Sequence, residues 1–190
     1  MRYFIYRVPT LALVVLSVAL APAMAQVNYS TLSSFNAAVG PHTIIPFTTL
    51  PDAATITTEY SGLGVTFVDG NDLQWYSSVF VTDNAGVDGD GQIELTFSTP
   101  VYAIGAEFPG AMAIDLYNGA TLIGTSANFG GSGTGFFGGV TFTPFNRAIL
   151  RDWGDNFVFI DNLHFAPVVP EPGALALLGC SLLCWGLRRR

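Results

Sequence analysis

The residues with the clearest chemical use are aromatic rings beside short polar side chains. Trp75 and Tyr76 follow Asn71 and Asp72, and Trp153 stands between Asp152 and Asp155. Such a pairing can grip a sugar: the ring face stacks on C–H groups while carboxylates and amides bond the hydroxyls. The same rings could instead close the ends of a small core, as large aromatics commonly do. A second set is acidic. Asp83, Asp88 and Asp90 are read as part of an acidic, glycine-rich loop with oxygen ligands only, a composition suited to calcium and equally that of a solvated acidic turn. Asp161 is the third feature. Strand alternation from Phe157 places Phe157, Phe159, Asp161, Leu163 and Phe165 on one face, and the four apolar members make that the expected core face. Asp161 then points inward, where a carboxylate needs a partner. Backbone amides, Arg147, Arg151 or a bound calcium could supply it; a β-bulge at Asp161, turning the side chain outward, is the competing account.

Catalytic patterns are sparse. The chain holds two histidines, His42 and His164, and neither a G-x-S-x-G elbow nor an HExxH run. A glycosidase needs two carboxylates at a set separation, and so acidic a chain offers many pairs, so their presence alone decides nothing. The acidic stretch is no EF-hand, since the sixth position from Asp88 is Ile93 where glycine is required. The run from Phe129 to Gly139 lacks the lysine of a phosphate loop and is read as a loop, with Phe136 and Phe137 folded onto the core. Both cysteines, Cys180 and Cys184, lie near the C-terminus as small apolar residues. A non-catalytic protein is expected, with a polysaccharide-acting hydrolase as the alternative.

The elements that would carry these residues are bounded by two apolar ends. Arg2 and Arg7, the apolar run Leu11 to Leu20 and the Ala23-Met24-Ala25 site form a signal peptide over residues 1–25, to be removed by signal peptidase. At the other end, Val169-Pro170-Glu171-Pro172 precedes an uncharged apolar run, and Arg188, Arg189 and Arg190 close the chain. That order reads as a short transmembrane helix with its basic end held in the cytoplasm. Between them lies a domain over residues 26–167. Of the seven basic residues only Arg147 and Arg151 fall within it, against all of the fourteen acids except Glu171. Its formal charge is therefore near −11, which would repel phosphate backbones and excludes nucleic acid as a partner.

Within the domain the spacing predicts one helix, Ser30 to Val39, capped by Ser30 or Thr31 and ended by Gly40-Pro41. Period-two patterning follows. Strands are expected at Thr43–Phe47, Gly64–Val68, Gln92–Phe97, Val101–Phe108, Ala111–Tyr117, Thr121–Thr125, Gly138–Thr143, Ala148–Leu150 and Phe157–Phe165. Asn118-Gly119 is a hairpin signal of the I′ type. Short strands at this spacing predict an all-β fold, a single jelly-roll-like β-sandwich with one short N-terminal helix.

The tail, residues 168–190, resembles the PEP-CTERM sorting signal of Gram-negative bacteria. Pro170, Glu171 and Pro172 match its motif, followed by the apolar helix and the arginines. The resemblance implies processing by the membrane transpeptidase exosortase. It also implies export across the inner membrane, transient anchoring through the tail, and release to the cell surface or extracellular matrix. An association with exopolysaccharide and biofilm matrix, and so carbohydrate binding, is implied in the same way. Leu63 to Phe67 and Ile160 to Leu163 are similar in texture to strands of exported PEP-CTERM proteins. The latter also resembles the last strand of jelly-roll carbohydrate-binding modules, in which an Asp supports a structural calcium.

Overall fold

A computed structural model of the protein describes residues 25–51, 53–68, 86–133, 135–152 and 157–168, together with the backbone of residues 74–76. In chain order the strands are β1 (Val27–Tyr29), β2 (Thr43–Ile45), β3 (Val65–Phe67), β4 (Gln74–Tyr76), β5 (Gly86–Asp90), β6 (Gln92–Phe108), β7 (Ala111–Asn118), β8 (Thr121–Thr125), β9 (Phe129–Gly130), β10 (Phe136–Arg151), β11 (Phe157–Ile160) and β12 (Leu163–Pro167). One α-helix, α1 (Leu32–Val39), lies between β1 and β2. The expected all-β sandwich with a single short helix is the fold observed.

Two strands hold the layers together. The first half of β6 pairs with the last part of β10 and with β3, and β7 and β8 extend that layer. The second half of β6 pairs with the first part of β10 and with β12, and β2 and β1 form its flanks. The sequence predicts separate strands on either side of Pro100 and of Pro144. The chain instead bends through both prolines without ending the strand. The pairing slips on either side of Phe145, and it is at such irregularities that proline is tolerated within a sheet. Strands that change layers in this way form the corners of a sandwich. Both layers belong to one large sheet, and a second, smaller sheet runs in the order β11-β5-β4.

Alternation sets the core. Ile93, Leu95 and Phe97 on β6, and Met112, Ile114 and Leu116 on β7, are all buried, as their period predicts. The hairpin between β7 and β8 also forms, one residue later than expected. Asn118 pairs with Thr121, and Gly119 takes φ +59 at the first central position, the requirement of a II′ turn. Helix α1 covers the outer face of the second layer. Thr31 caps it by accepting from Ser34 N at 3.3 Å, and Gly40 ends it at φ +70. Phe35 and Val39 pack with Ala103, Phe137 and Ala166 as a second, smaller core. Phe137 thus folds down as expected, but from the first turn of a strand, since β10 begins at Phe136.

Two expectations are corrected. The acidic stretch is not a loop: Gly86–Asp90 is β5, paired with β11 on one side and β4 on the other. Val87 and Gly89 face inward, and a Cβ on Gly89 would collide with the Gln92 carbonyl oxygen. Nor do Phe157 and Phe159 face the core. Val158 and Ile160 are buried, and Phe157 is 54% exposed. The alternation changes phase at Asp161-Asn162, where the chain leaves the small sheet for the large one. Asp161 N donates to Glu107 O at 2.7 Å and Glu107 N donates to Asn162 O at 3.2 Å. Beyond that bend Leu163 and Phe165 are buried, in the phase the sequence predicts.

Candidate functional site

The small sheet presents a mixed aromatic and acidic outer face. Phe157 lies opposite Asp90 and Phe159 opposite Asp88 across the β11–β5 pair. Directly opposed residues of antiparallel strands project to the same side, so the two rings and two carboxylates share one surface. The rings lie 6.5 Å apart between centroids and 29° from parallel, forming a stepped apolar platform. Asp90 is exposed and Asp88 half-buried. β4 completes the sheet by pairing Gln74 with Asp88, Trp75 with Val87 and Tyr76 with Gly86. Of the sugar-binding residues expected from sequence, Trp75 and Tyr76 therefore sit on this sheet by backbone register. Their side chains, Trp153 and Asp83 lie outside the described residues. Phe157 and Phe159 were not among the residues expected to bind a sugar, because unbroken strand alternation assigned them to the core face.

Asp161 is fully buried, as expected. It stands in the bend behind this sheet, held through its backbone to Glu107, whose Oε1 also accepts from Asn162 Nδ2 at 3.2 Å. Among the described residues no group of three or more His, Cys, Asp or Glu side chains is placed to hold a metal. Asp161 thus shares no such cluster with Asp88 or Asp90.

A second polar centre joins the two histidines, 122 residues apart in sequence. His42 Nδ1 lies 2.7 Å from the Gly40 carbonyl oxygen, so that nitrogen carries the hydrogen. With both rings neutral, His42 Nε2 then accepts from His164 Nδ1 at 3.0 Å. His164 is 2% exposed, enclosed by Phe35 and Phe137 edges, and its Nε2 stands 3.5 Å from Glu107 Oε1. Burial first, and the neighbouring His42 second, push the His164 pKa down to about 4. Glu107 itself opens onto a cleft of about 280 Å³ between Ser30, Thr31 and Leu32 on one wall and Phe136 and Phe137 on the other. Among the described residues that line the cleft it is the only carboxylate.

The domain's two cations are engaged elsewhere. Arg147 pairs with Glu94 at 2.6 Å and lies 4.4 Å over the Tyr117 ring, and Arg151 pairs with Asp115 at 2.8 Å.

The sorting residues Pro170, Glu171, Pro172, Arg188, Arg189 and Arg190 lie outside the described residues. Among those described, no helix is long and apolar enough to cross a membrane. No curated protein matches the chain. Residues 168–190 match the family model of the PEP-CTERM protein-sorting motif, so this β-sandwich is carried by an exported protein addressed to exosortase and sorted toward the cell surface.

Proposed function

We propose that the exported domain is a non-catalytic polysaccharide binder of the extracellular matrix, and that the outer face of β11 and β5 is its binding surface. The observation that carries this reading is the pairing of Phe157 and Phe159 with Asp90 and Asp88 on one face of the small sheet, where Phe157 and Asp90 are exposed and Phe159 and Asp88 half-buried. A soluble domain gains nothing in stability from leaving a large ring more than half exposed, whereas a sugar ring covers it without needing a deep pocket. The carboxylates then accept hydroxyl hydrogen bonds at the rim of the stacked ring. The cleft at Glu107 lends less support to a hydrolase, because glycoside hydrolysis is ordinarily the work of two carboxylates flanking one bond.

Affinity electrophoresis in gels cast with matrix polysaccharide tests the reading. The Phe157→Ala, Phe159→Ala double variant is expected to lose the retardation shown by the wild type while keeping its melting temperature within a few degrees. Unchanged retardation would place the binding elsewhere. Release of reducing ends during the run would favour the hydrolase.

The tail carries its own prediction. Transient anchoring followed by cleavage near Pro170-Glu171-Pro172 leaves the extracellular protein without its arginine end. Intact mass of the exported form is expected to lack Arg188, Arg189 and Arg190, and a full-length mass outside the cell would contradict the cleavage.

A further inference from the structure

We infer that the preferred ligand of the β11–β5 face is an amino-sugar polymer bearing free ammonium groups, a proposal that rests on the polysaccharide-binding reading above. The argument is one of charge. Every ionisable side chain of β5 and β11 is a carboxylate, Asp88 or Asp90, and each stands directly across from a phenylalanine of the platform. A pyranose lying on Phe157 therefore brings its ring substituents to Asp90, and one on Phe159 to Asp88. A hydroxyl there donates a hydrogen bond to the carboxylate and brings no charge of its own. An ammonium donates likewise and adds the attraction between two opposite charges, with a further attraction to the aromatic faces.

The rest of the domain points the same way. Residues 26–167 contain no lysine and only two arginines. Both already neutralise carboxylates, Arg147 against Glu94 and Arg151 against Asp115. Neither the platform nor its surroundings thus offers a cation to a uronate, sulfate or phosphate on an acidic polymer. A formal charge near −11 repels such a chain at long range and draws a polycationic one. The aromatic pair gives selectivity for sugar over other polycations, since a flexible basic peptide has no flat C–H face to lay on the rings.

Four oligosaccharide probes and one peptide test this by calorimetry on the purified protein: a fully N-acetylated chitin oligomer, a partly de-N-acetylated one of equal length, a neutral glucan oligomer, a polyuronate oligomer and oligolysine. The de-N-acetylated oligomer is expected to bind about tenfold more tightly than the acetylated one at low salt, the sum of one ion pair at exposed Asp90 and one at half-buried Asp88. That preference is expected to vanish at about 0.5 M salt, where the Debye length falls below 5 Å. Asp90→Asn is expected to reduce it about threefold, and Asp88→Asn serves as a second probe. Phe157→Ala is expected to abolish binding of every sugar while leaving the net charge unchanged. Equal affinity for the acetylated and de-N-acetylated oligomers, with both lost in Phe157→Ala, would overturn the charge inference and leave the polysaccharide reading intact. Tighter binding of polyuronate, or oligolysine binding as tightly as the amino-sugar, would also overturn it. Absence of binding to all four sugars would instead overturn the reading on which it rests.

Discussion

Replacing Phe35 with alanine is expected to cost about 3–5 kcal/mol, the range for deleting a fully buried phenylalanine ring. Phe35 has no exposed surface and is the hub of the second core. Its ring meets Phe137 at 5.3 Å, His42 at 5.6 Å, Tyr29 at 5.8 Å and His164 at 6.3 Å. Helix α1 has eight residues, too few to persist in water on its own, and Phe35 and Val39 are its only buried side chains. Loss of the ring therefore removes most of what docks the helix and exposes the histidine pair beneath it. Urea unfolding of the two proteins at pH 7 measures the difference. A cost under about 1 kcal/mol would mean that the helix contributes little to the fold.

Acid is expected to destabilise the protein through His164. In the unfolded chain this imidazole binds its proton near the ordinary histidine value of 6.5, and in the folded chain only at about 4. The unfolded state therefore holds more protons between those values, so stability rises with pH through the window and is lost as pH falls. The full contribution, on the order of 3 kcal/mol, is present at pH 7 and spent by about pH 4. The groups facing His164 are His42 from the segment before β2 and Glu107 from β6; α1 adds no charge, and β10 adds the Phe137 ring. Comparing wild type with His164→Gln isolates the effect, since the carboxylates titrate in both. The stability gap between them is expected to shift by about 3 kcal/mol between pH 7 and pH 4. Parallel pH profiles would show that His164 protonates freely in the folded state.

These expectations show which parts of the molecule were legible in its sequence. The core strands were, because Ile93, Leu95 and Phe97 alternate cleanly with polar neighbours, and burial of one face is the strongest signal a strand can send. β5 was not. Its inward positions are Val87 and Gly89, and a glycine chosen because the Gln92 carbonyl leaves no room for a Cβ sends no hydrophobic signal. Acid and glycine together then read as a loop. Phe157 and Phe159 were misassigned for a different reason. Alternation holds only while a strand stays in one sheet, and the change of sheet at Asp161-Asn162 shifts its phase by one residue. The aromatic–acidic face depends on both missed features, which is why sequence reasoning looked to Trp75 and Trp153 instead. The pairing of His42 with His164 depends on where α1 and β2 close over β12, a long-range result that local pattern does not encode.

The placement of β12 bears on how the fold withstands a pull on its C-terminal end. It is an inner strand, bonded along one side to β6 and along the other to β2, and the next residue, Val168, still donates to Pro100 O at 3.1 Å. The sorting motif begins at that residue. Val168, the last described residue of the domain, is therefore still bonded to the sheet where the sorting sequence starts. A pull on the C-terminal end of β12 along the strand loads the hydrogen bonds on its two sides together, in shear, the arrangement in which a sheet resists mechanical extraction. The fold is thus hard to unravel from that end, and a chain ending just beyond Val168 would keep every described strand whole.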